Sequence, residues 1–388
     1  MAVWAGATAL RPMAARDKEA RVEVVQVAGY YPPHPGGEEV VAQRLATLQA
    51  RRHRVTVYTC DLGAEGAPRH EHDGALSVYR DRGWSVGNTP LIPGLVGRLL
   101  RHRPKPDVVH VHAGLALVPE MVRLATRLRG IPYVVHLHLM VRPSSGPGRI
   151  LLPAYQRTLL PAFLRGAAGV ICLTEAMRQT VIETFRVTPE RAVVIPNGVE
   201  ADRFRPGRPG TRQDRELLFV GRLTAQKNVL AAVEAMAHLP EATLRVVGGG
   251  ELRPTLERRI RDLRLSNVRL EGAVGRDDLA PFYQRATAVL MPSSHEGLPL
   301  VMLEAMAAGA PVVCTALPEL VETGGDAVVT VRRGTAEDLV GPIRSLLNDP
   351  ARRDRLSVAA RQRATRYAWP AVVDAVDELY RQVTRTTR

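Results

Sequence analysis

The chain has 388 residues, enough for two domains that each bury a hydrophobic core. Its net charge of +14 would suit nucleic acid or an anionic surface as a partner. Nucleic acid is disfavoured because the basic residues are dispersed along predicted helices, aromatic residues make up only 4% and no nucleic-acid-binding motif is present. No apolar run approaches the roughly 20 residues of a membrane span.

Residues 1–20 contain a short apolar patch that no basic residue precedes. This pattern predicts a loose N-terminal extension rather than a secretion signal. Cys60, Cys172 and Cys314 are far apart and lack the spacing of metal ligands. We therefore expect buried free thiols in a reducing cytoplasm.

From residue 22 onward, short Val-rich segments alternate with longer amphipathic segments, such as 38–51 and 115–129. This alternation predicts α/β architecture with doubly wound parallel sheets. The predicted strands form two series: 22–27, 55–59, 108–111, 133–137, 170–173 and 193–195, then 217–220, 244–247, 268–270, 288–291, 312–314 and 328–329.

The Pro/Gly/Arg-rich segment 203–210 separates the two series and is the best linker candidate. It predicts one domain over 21–200 and a second over 201–368, with a final helix over 369–388. Ligands of such sheets bind at the carboxyl ends of the strands, so the site is expected in a central cleft.

The first motif in chain order is Gly36-Gly37, followed by Glu38 and Glu39. It connects the first predicted strand to a helix. Glycines allow a ligand to approach the backbone closely, and a helix N-terminus favours an anion. Many strand-to-helix turns share this pattern, so the signal is weak when taken alone.

Two pairs of histidines lie near strand tips. Alternation places His136 and His138 on one face of their strand, and His110 and His112 on one face of the preceding strand. His136 is interpreted as a hydrogen-bonded core residue. Four clustered histidines could indicate a metal, but no carboxylate has ligand spacing, so we expect none.

The second series opens with Gly221-Arg222, and Lys227 follows on the same loop. Arginine and lysine can converge on one diphosphate, the first as a planar fork and the second as a compact charge. The chain has three lysines against 50 arginines, so a lysine at 227 indicates a site that requires the smaller ammonium. The next glycine turn, 248–250, lacks the G-x-G-x-x-G spacing of an NAD site.

The most informative segment is 293–309, in which seven residues separate Glu296 from Glu304. A helix is predicted to begin near Pro299, and its first turn would offer unpaired N–H groups to a phosphate. Glu296 is then expected in the loop outside the helix and Glu304 about two turns inside. Carboxylates beside a phosphate site are favourable when they bind a neutral polyhydroxylated group such as a sugar. The competing interpretation, two ordinary surface glutamates, fits the small-residue run 305–309 poorly.

In this order, over about 22–383, the motifs resemble those of the retaining glycosyltransferases of family 4, which have the GT-B fold with two Rossmann-like domains. The resemblance implies that Glu296 holds the donor sugar hydroxyls and Glu304 the nucleotide ribose. It assigns Arg222 and Lys227 to the diphosphate. It places His138 near the donor sugar and the reacting centre.

The same resemblance assigns backbone roles. The amides around Leu298, Leu300 and Val301 would bind the diphosphate, and Gly248 and Gly249 would line the nucleotide pocket. The loop of Gly36 and Gly37 would close over the diphosphate and the acceptor. The final helix would cross back to the first domain. One departure is His53, where the family often has glycine. Neither a metal nor another cofactor is implied.

The function expected from the resemblance is retaining transfer of a hexose from a nucleotide-sugar, of the UDP-glucose type or an amino-sugar analogue. The expected acceptor is a small polar molecule, as in aminocyclitol or aminoglycoside antibiotic biosynthesis. One alternative is a membrane-surface enzyme of envelope glycolipid or polysaccharide synthesis, weakly bound to anionic lipid through the basic and apolar stretch 98–105. Another is a non-catalytic sugar-nucleotide-binding protein, which the presence of Lys227 and Glu296 disfavours.

Overall fold

The computed structural model describes residues 21–86, 89–113, 117–139, 148–208 and 210–387. The predicted N-terminal extension lies outside the described residues. Within them, no helix is both long enough and apolar enough to cross a bilayer. The three cysteines are buried and free, as predicted.

The first sheet is built from residues 23–194. Its strands are β1 (Glu23–Ala28), β2 (Arg54–Cys60), β3 (His70–Asp73), β4 (Leu76–Asp81), β7 (Val108–Ala113), β8 (Tyr133–Leu137), β9 (Gly169–Cys172) and β10 (Ala192–Val194), while β5 (Trp84–Val86) and β6 (Thr89–Leu91) form a separate antiparallel pair. The order across the sheet is β10-β9-β8-β7-β1-β2-β4-β3, and only β3 runs antiparallel to its neighbour.

The second sheet is entirely parallel. Its strands are β11 (Glu216–Val220), β12 (Thr243–Val247), β13 (Val268–Gly272), β14 (Ala288–Met291), β15 (Val312–Thr315) and β16 (Val328–Val331), in the order β13-β12-β11-β14-β15-β16. The strand order reverses between β1 and β7 in the first sheet and between β11 and β14 in the second. Ligands of open α/β sheets bind at these reversals, beyond the carboxyl ends of the strands.

Thirteen α-helices among the described residues connect or cover the strands. They are α1 (Gly37–Gln49), α2 (Leu95–Arg101), α3 (Val118–Arg129), α4 (Gly148–Gly166), α5 (Glu175–Phe185), α6 (Val229–Ala235), α7 (Arg253–Asp262), α8 (Ala280–Arg285), α9 (Leu300–Ala307), α10 (Pro318–Gly324), α11 (Ala336–Asn348), α12 (Pro350–Ala364) and α13 (Trp369–Thr387).

The final helix, α13, returns to the first sheet. Its residues Trp369, Val376 and Tyr380 are buried in one hydrophobic cluster with Val24 of β1 and Leu45 of α1. The last helix of the chain therefore completes the core under the first sheet. The domain limits at 200 and 368 stay a prediction.

Two segments differ from the sequence-based expectation. The strands β3 to β6 were not predicted. β3 is polar and largely exposed, and β5 and β6 have three residues each. β4 does alternate buried and half-buried residues, and the sequence analysis missed it. Helix α9 begins at Leu300, with Pro299 as its extended N-cap rather than its first helical residue. Glu304 therefore lies little more than one turn inside the helix, not two.

Candidate active site

Lys227 and Glu296 form the centre of the site. Lys227 lies on the loop after β11, and Glu296 lies on the loop after β14, the neighbouring strand across the reversal. The Lys227 Nζ atom lies 2.6 Å from Oε1 of Glu296, whose side chain is almost completely buried. Gln226 stabilises this approach because its carbonyl accepts from the Ser294 N–H and its side chain donates to the His295 carbonyl.

The glycine turn after β12 packs against the loop that carries Lys227. Gly248 has a φ of +140°, and a Cβ there would lie 1.9 Å from the Gly221 carbonyl oxygen, so only glycine fits. A Cβ on Gly249 would meet no atom within 4 Å. Gly248 therefore holds two loops of the second sheet together, and Gly249 faces open space.

The first turn of α9 lies directly beyond Glu296. The N–H groups of Leu300 and Val301 belong to this turn, where a helix offers its own amides no acceptor. Leu298 is buried, and its carbonyl accepts a 2.7 Å hydrogen bond from the Asn197 amide, which ties the α9 loop to the connection between the two halves. An anion at this turn would lie beside both Lys227 and Glu296.

Glu304 is engaged by two side chains that the sequence analysis missed. Its Oε1 lies 2.7 Å from Nη1 of Arg276, and its Oε2 accepts a 2.8 Å hydrogen bond from Tyr283. Burial raises the pKa of the Glu304 carboxyl, while Arg276 and Tyr283 oppose that shift. The Arg276 guanidinium also lies over the Phe204 ring, 5.3 Å from its centroid. A ribose that reached Glu304 would compete with Arg276 for the carboxylate.

The side chain of Glu39 covers part of the glycine loop of the first sheet. Its carboxylate lies 2.7 Å from His34 Nδ1, and the His34 ring stacks on Tyr30 at 4.2 Å. The same carboxylate folds over Gly36, where a Cβ would lie 2.0 Å from its Oε2 atom. Space around Gly37 is open, since a Cβ there would meet no atom within 4 Å.

Glu38 is the acidic residue that remains accessible, and it is only partly exposed. Burial, together with the nearby charge of Glu39, raises the pKa of the Glu38 carboxyl to about 8. The charge of Arg222, from the second sheet, opposes this shift. Arg222 is therefore close enough to the first domain's loop for its charge to act on Glu38, whereas Lys227 pairs with Glu296.

His138 lies where the two halves come into contact at the cleft. A Cβ on Gly297 would lie 2.0 Å from the His138 carbonyl oxygen, so the loop that follows Glu296 lies against the backbone at the end of β8. Asn197 reinforces this contact through its bond to Leu298. The first and second sheets thus bring His138 and Glu296 to one place, although the roles assigned to them stay predictions.

The four histidines near the strand tips form one buried cluster. His136 and His138 lie on one face, as the alternation predicted, and their rings stack at 4.3 Å. His112 stacks on both, whereas the His110 ring is tilted against those of His112 and His136. Nitrogen atoms of His110, His112 and His136 lie within 4.8 Å of one another, close enough to hold a metal ion. Both ring nitrogens of His110 already have hydrogen-bonding partners, since Nε2 lies 3.2 Å from His136 Nδ1 and Nδ1 lies 2.6 Å from the Tyr380 hydroxyl.

A second contact between the halves lies outside the cleft. Glu322 of α10 accepts hydrogen bonds from the backbone N–H groups of Glu175 and Ala176, at 2.7 and 3.0 Å. These two amides begin α5, where a carboxylate complements both the unpaired donors and the helix dipole. The second domain thereby caps a helix of the first.

Two Rossmann-like domains facing a cleft lined by paired acidic and basic groups define the GT-B fold of glycosyltransferases. The profile for Glycosyltransferase Family 4 matches residues 35–203, and that for Glycosyl transferases group 1 matches residues 200–363. The D-inositol 3-phosphate glycosyltransferase of Kineococcus radiotolerans is 30% identical, over 89% of this chain and 90% of the relative. The chain belongs to the family 4 type of glycosyltransferases.

A second relative agrees with this assignment, and solved structures share the fold. Glycogen synthase of Mycobacterium tuberculosis is 32% identical, over 73% of this chain and 70% of the relative. Sucrose-phosphate synthase from Thermosynechococcus elongatus superposes with a TM-score of 0.76 at 21% identity, covering 94% of this chain and 100% of that one. Anabaena HepE, solved in complex with UDP and glucose, has a TM-score of 0.73 at 18% identity, covering 92% and 99%.

The contact at Gly297 predicts a sensitive position. Gly297→Ala should lower kcat/KM by roughly 100-fold, since the added methyl forces the Glu296 loop away from His138 and small displacements of reacting groups are costly. The control is Gly341→Ala on α11, where a Cβ meets no atom within 4 Å. Steady-state kinetics and thermal melts of both variants provide the test, and a Gly297→Ala enzyme with wild-type kinetics would contradict the close approach.

Proposed function

We propose that this protein is a retaining hexosyltransferase that takes a sugar from a nucleotide-sugar, of the UDP-glucose type or an amino-sugar analogue. The observation that carries the proposal is the 2.6 Å pair of Lys227 and Glu296 beside the first turn of α9. A diphosphate requires the cation and the helix amides, and a sugar requires the carboxylate. The solved complex of Anabaena HepE with UDP and glucose, which shares the fold, supports a donor of this class.

The electrostatics of the site suit cleavage of a sugar–phosphate bond. This step develops positive charge on the anomeric carbon and negative charge on the leaving diphosphate. Lys227 and Arg222, together with the first-turn amides of α9, stabilise the diphosphate. The arriving phosphates compete with Glu296 for Lys227, which releases that carboxylate to accept hydrogen bonds from sugar hydroxyls.

Retention of the anomeric configuration follows from the face of the sugar that the acceptor attacks. In the proposed mechanism the acceptor hydroxyl attacks from the face that the diphosphate leaves, and the leaving phosphate takes its proton. Glu296 is held beside Lys227 and Glu304 is held by Arg276 and Tyr283, so both carboxylates have binding roles. No protein nucleophile is required, and the proposal includes neither a metal nor another cofactor.

Lys227 provides the first test of this proposal. Lys227→Ala should lower kcat by about 100- to 1,000-fold, because one preorganised contact to the developing charge is lost. Lys227→Arg should recover little activity, since a planar fork does not replace a compact ammonium. The control is Lys105→Ala, which removes an exposed lysine whose one hydrogen bond among the described residues is to the Gly130 carbonyl. Turnover in Lys227→Ala equal to wild type would exclude the diphosphate role.

The stereochemical outcome provides a second test. Proton NMR of the product should show the anomeric configuration of the donor, and a chelator should leave the rate unchanged. An inverted product would disprove the mechanism. A chelator-sensitive rate that a divalent ion restores would disprove the metal-free site. Absence of any transfer across a panel of sugar nucleotides would favour the non-catalytic binding protein.

We further propose a cytoplasmic location, because the three cysteines are buried and free.

We also propose a cationic polyol as acceptor, of the aminocyclitol type found in aminoglycoside antibiotics. The acceptor proposal rests on Glu38, a partly exposed carboxyl at the glycine loop whose pKa lies near 8. An ammonium group bound there would favour the ionised carboxylate. The relatives described above are named for other acceptors, so the acceptor class depends on Glu38 and not on similarity.

The pH dependence of acceptor binding tests this class. Below pH 8 most Glu38 is protonated in the free enzyme, so KM for a cationic acceptor should fall as pH rises from 6.5 to 8 and then level off. Glu38→Gln should abolish this dependence and raise acceptor KM by roughly ten- to a hundred-fold at pH 8, with donor KM unchanged. The control is Glu183→Gln, an exposed carboxylate on α5.

A second candidate function is glycosyl transfer at a membrane surface. Leu124 and Leu128 on α3 and Leu159 on α4 are 52%, 65% and 50% exposed, and Arg127 and Arg157 are exposed on the same helices. Apolar and basic groups together suit an anionic bilayer. Turnover that requires anionic vesicles and ignores Glu38→Gln would replace the cationic acceptor with a lipid one.

A further inference from the structure

A chain of buried polar side chains connects the last helix of the protein to His138. We propose that Asp377 of α13 is a positioning residue that acts through Gln49, Gln26 and His112 to fix the proton of His138 on Nε2. His138 then keeps Nδ1 as a hydrogen-bond acceptor. The catalytic consequence rests on the proposed function, whereas the tautomer itself does not.

Each link of the chain has hydrogen-bonding distance. Oδ1 of Asp377 accepts from Nε2 of Gln49 at 3.0 Å, and Oε1 of Gln49 accepts from Nε2 of Gln26 at 2.9 Å. Oε1 of Gln26 lies 3.1 Å from Nε2 of His112. Nδ1 of His112 lies 2.9 Å from Nε2 of His138. All five side chains are buried, with Gln26 and Gln49 having no exposed surface.

The carboxylate sets the direction of every bond. An ionised carboxylate only accepts, so Gln49 must present its NH₂ group to Asp377 and its carbonyl to Gln26. Gln26 in turn presents its carbonyl to His112, which must donate from Nε2. A neutral imidazole has one N–H, so Nδ1 of His112 accepts and His138 donates from Nε2.

The charge states meet these conditions. Burial lowers the pKa values of His112 and His138 well below the usual range, so both rings are neutral. Burial acts to raise the pKa of Asp377, but hydrogen bonds from His53, Gln49 and Arg52 outweigh it and lower the pKa. Asp377 is therefore ionised at neutral pH.

The structure gives a reason for the histidine at position 53, where the resembled family often has glycine. The residue is buried, and its Nε2 lies 3.4 Å from Oδ1 of Asp377, while Nη1 of Arg52 lies 3.0 Å from Oδ2. A glycine at position 53 would remove one of the donors that keep the carboxylate ionised. Arg52 and His53, adjacent in the amino-acid sequence, are thus both directed at Asp377, the residue at which the series of hydrogen bonds starts.

A second branch leaves the same sequence at Gln49. His110 lies between the Tyr380 hydroxyl and His136, at 2.6 and 3.2 Å, and Tyr380 is itself hydrogen-bonded to Gln49. Tyr380 can donate or accept, so a reversal of Gln49 imposes no tautomer on His110. Changes made at Asp377 should therefore alter the tautomers of His112 and His138, whereas His110 can keep its own.

Asp377→Asn tests the direction of the chain with almost no change in shape. The amide can offer NH₂ to Gln49, which allows Gln49 and Gln26 to reverse and moves the His138 proton to Nδ1. Nitrogen NMR of histidine-labelled protein, assigned by difference with His138→Gln, should show Nε2–H in the wild type and a large population of Nδ1–H in the variant. Asp374→Asn, one turn earlier on α13, should leave His138 unchanged.

A double variant moves the carboxylate along the chain. In Asp377→Asn with Gln26→Glu, the new carboxylate accepts from both His112 and a reversed Gln49, and Gln49 accepts from Asn at 377. Every group is again satisfied, and His138 should return to Nε2–H. We expect kcat to fall about ten-fold in the single variant, with donor KM little changed, and to recover in the double variant.

The two readouts separate the possible failures. A wild-type His138 protonated on Nδ1, or a tautomer that ignores Asp377→Asn, overturns the proposal, and the wild-type spectrum decides this even if the variants fold poorly. A tautomer that shifts while kcat stays constant overturns the positioning role of Asp377. Absence of transferase activity in the wild-type protein would contradict the proposed function but would not affect the tautomer measurement.

Discussion

The close approach of Gly297 to the His138 carbonyl is the contact on which the rest of the site depends. A parallel sheet exposes its ligand-binding edge at the carboxyl ends of its strands, and each sheet here supplies only half of the groups that the proposed transfer uses. The first provides the glycine loop and His138, and the second provides Lys227, Glu296 and α9. The absence of a side chain at 297 allows these two edges to share one cleft.

Charge is distributed across this cleft in compensated pairs. Lys227 pairs with Glu296 and Arg276 pairs with Glu304, while Glu39 has a hydrogen-bonding partner in the His34 ring. A buried carboxylate without such a partner would be costly, so the candidate ligand-binding groups are satisfied by one another. A donor must exchange these contacts rather than add to them. Its net affinity is then smaller than a sum of individual contacts would suggest.

The sequence predicted most of the fold because its main signal is local. Val-rich strands and the glycine turns after β1, β11 and β12 were predicted, because hydrophobic periodicity and turn-forming residues can be recognised from neighbouring positions in the sequence. The polar strand β3 and the short β5 and β6 lack that signal. The family resemblance implied that Lys227 and Glu296 serve one donor site, but it did not predict their 2.6 Å contact. Arg276 and Tyr283 were missed because they reach Glu304 from 28 and 21 positions away, in segments without a motif. The link from Asp377 to Gln49 spans 328 positions and could not be predicted from periodicity.

The capping of α5 by Glu322 makes one helix end dependent on the position of the other domain. If the halves separate, the amides of Glu175 and Ala176 lose their acceptors, and only the Thr174 side chain, bonded to the Met177 amide, remains as a cap. Fraying of the first turn of α5 is thereby coupled to opening of the cleft. Because the cap is an exposed carboxylate, dissolved ions weaken it. Added salt should thus shift the balance between the closed and the open arrangement of the two halves, although its ions need not contact the candidate site residues.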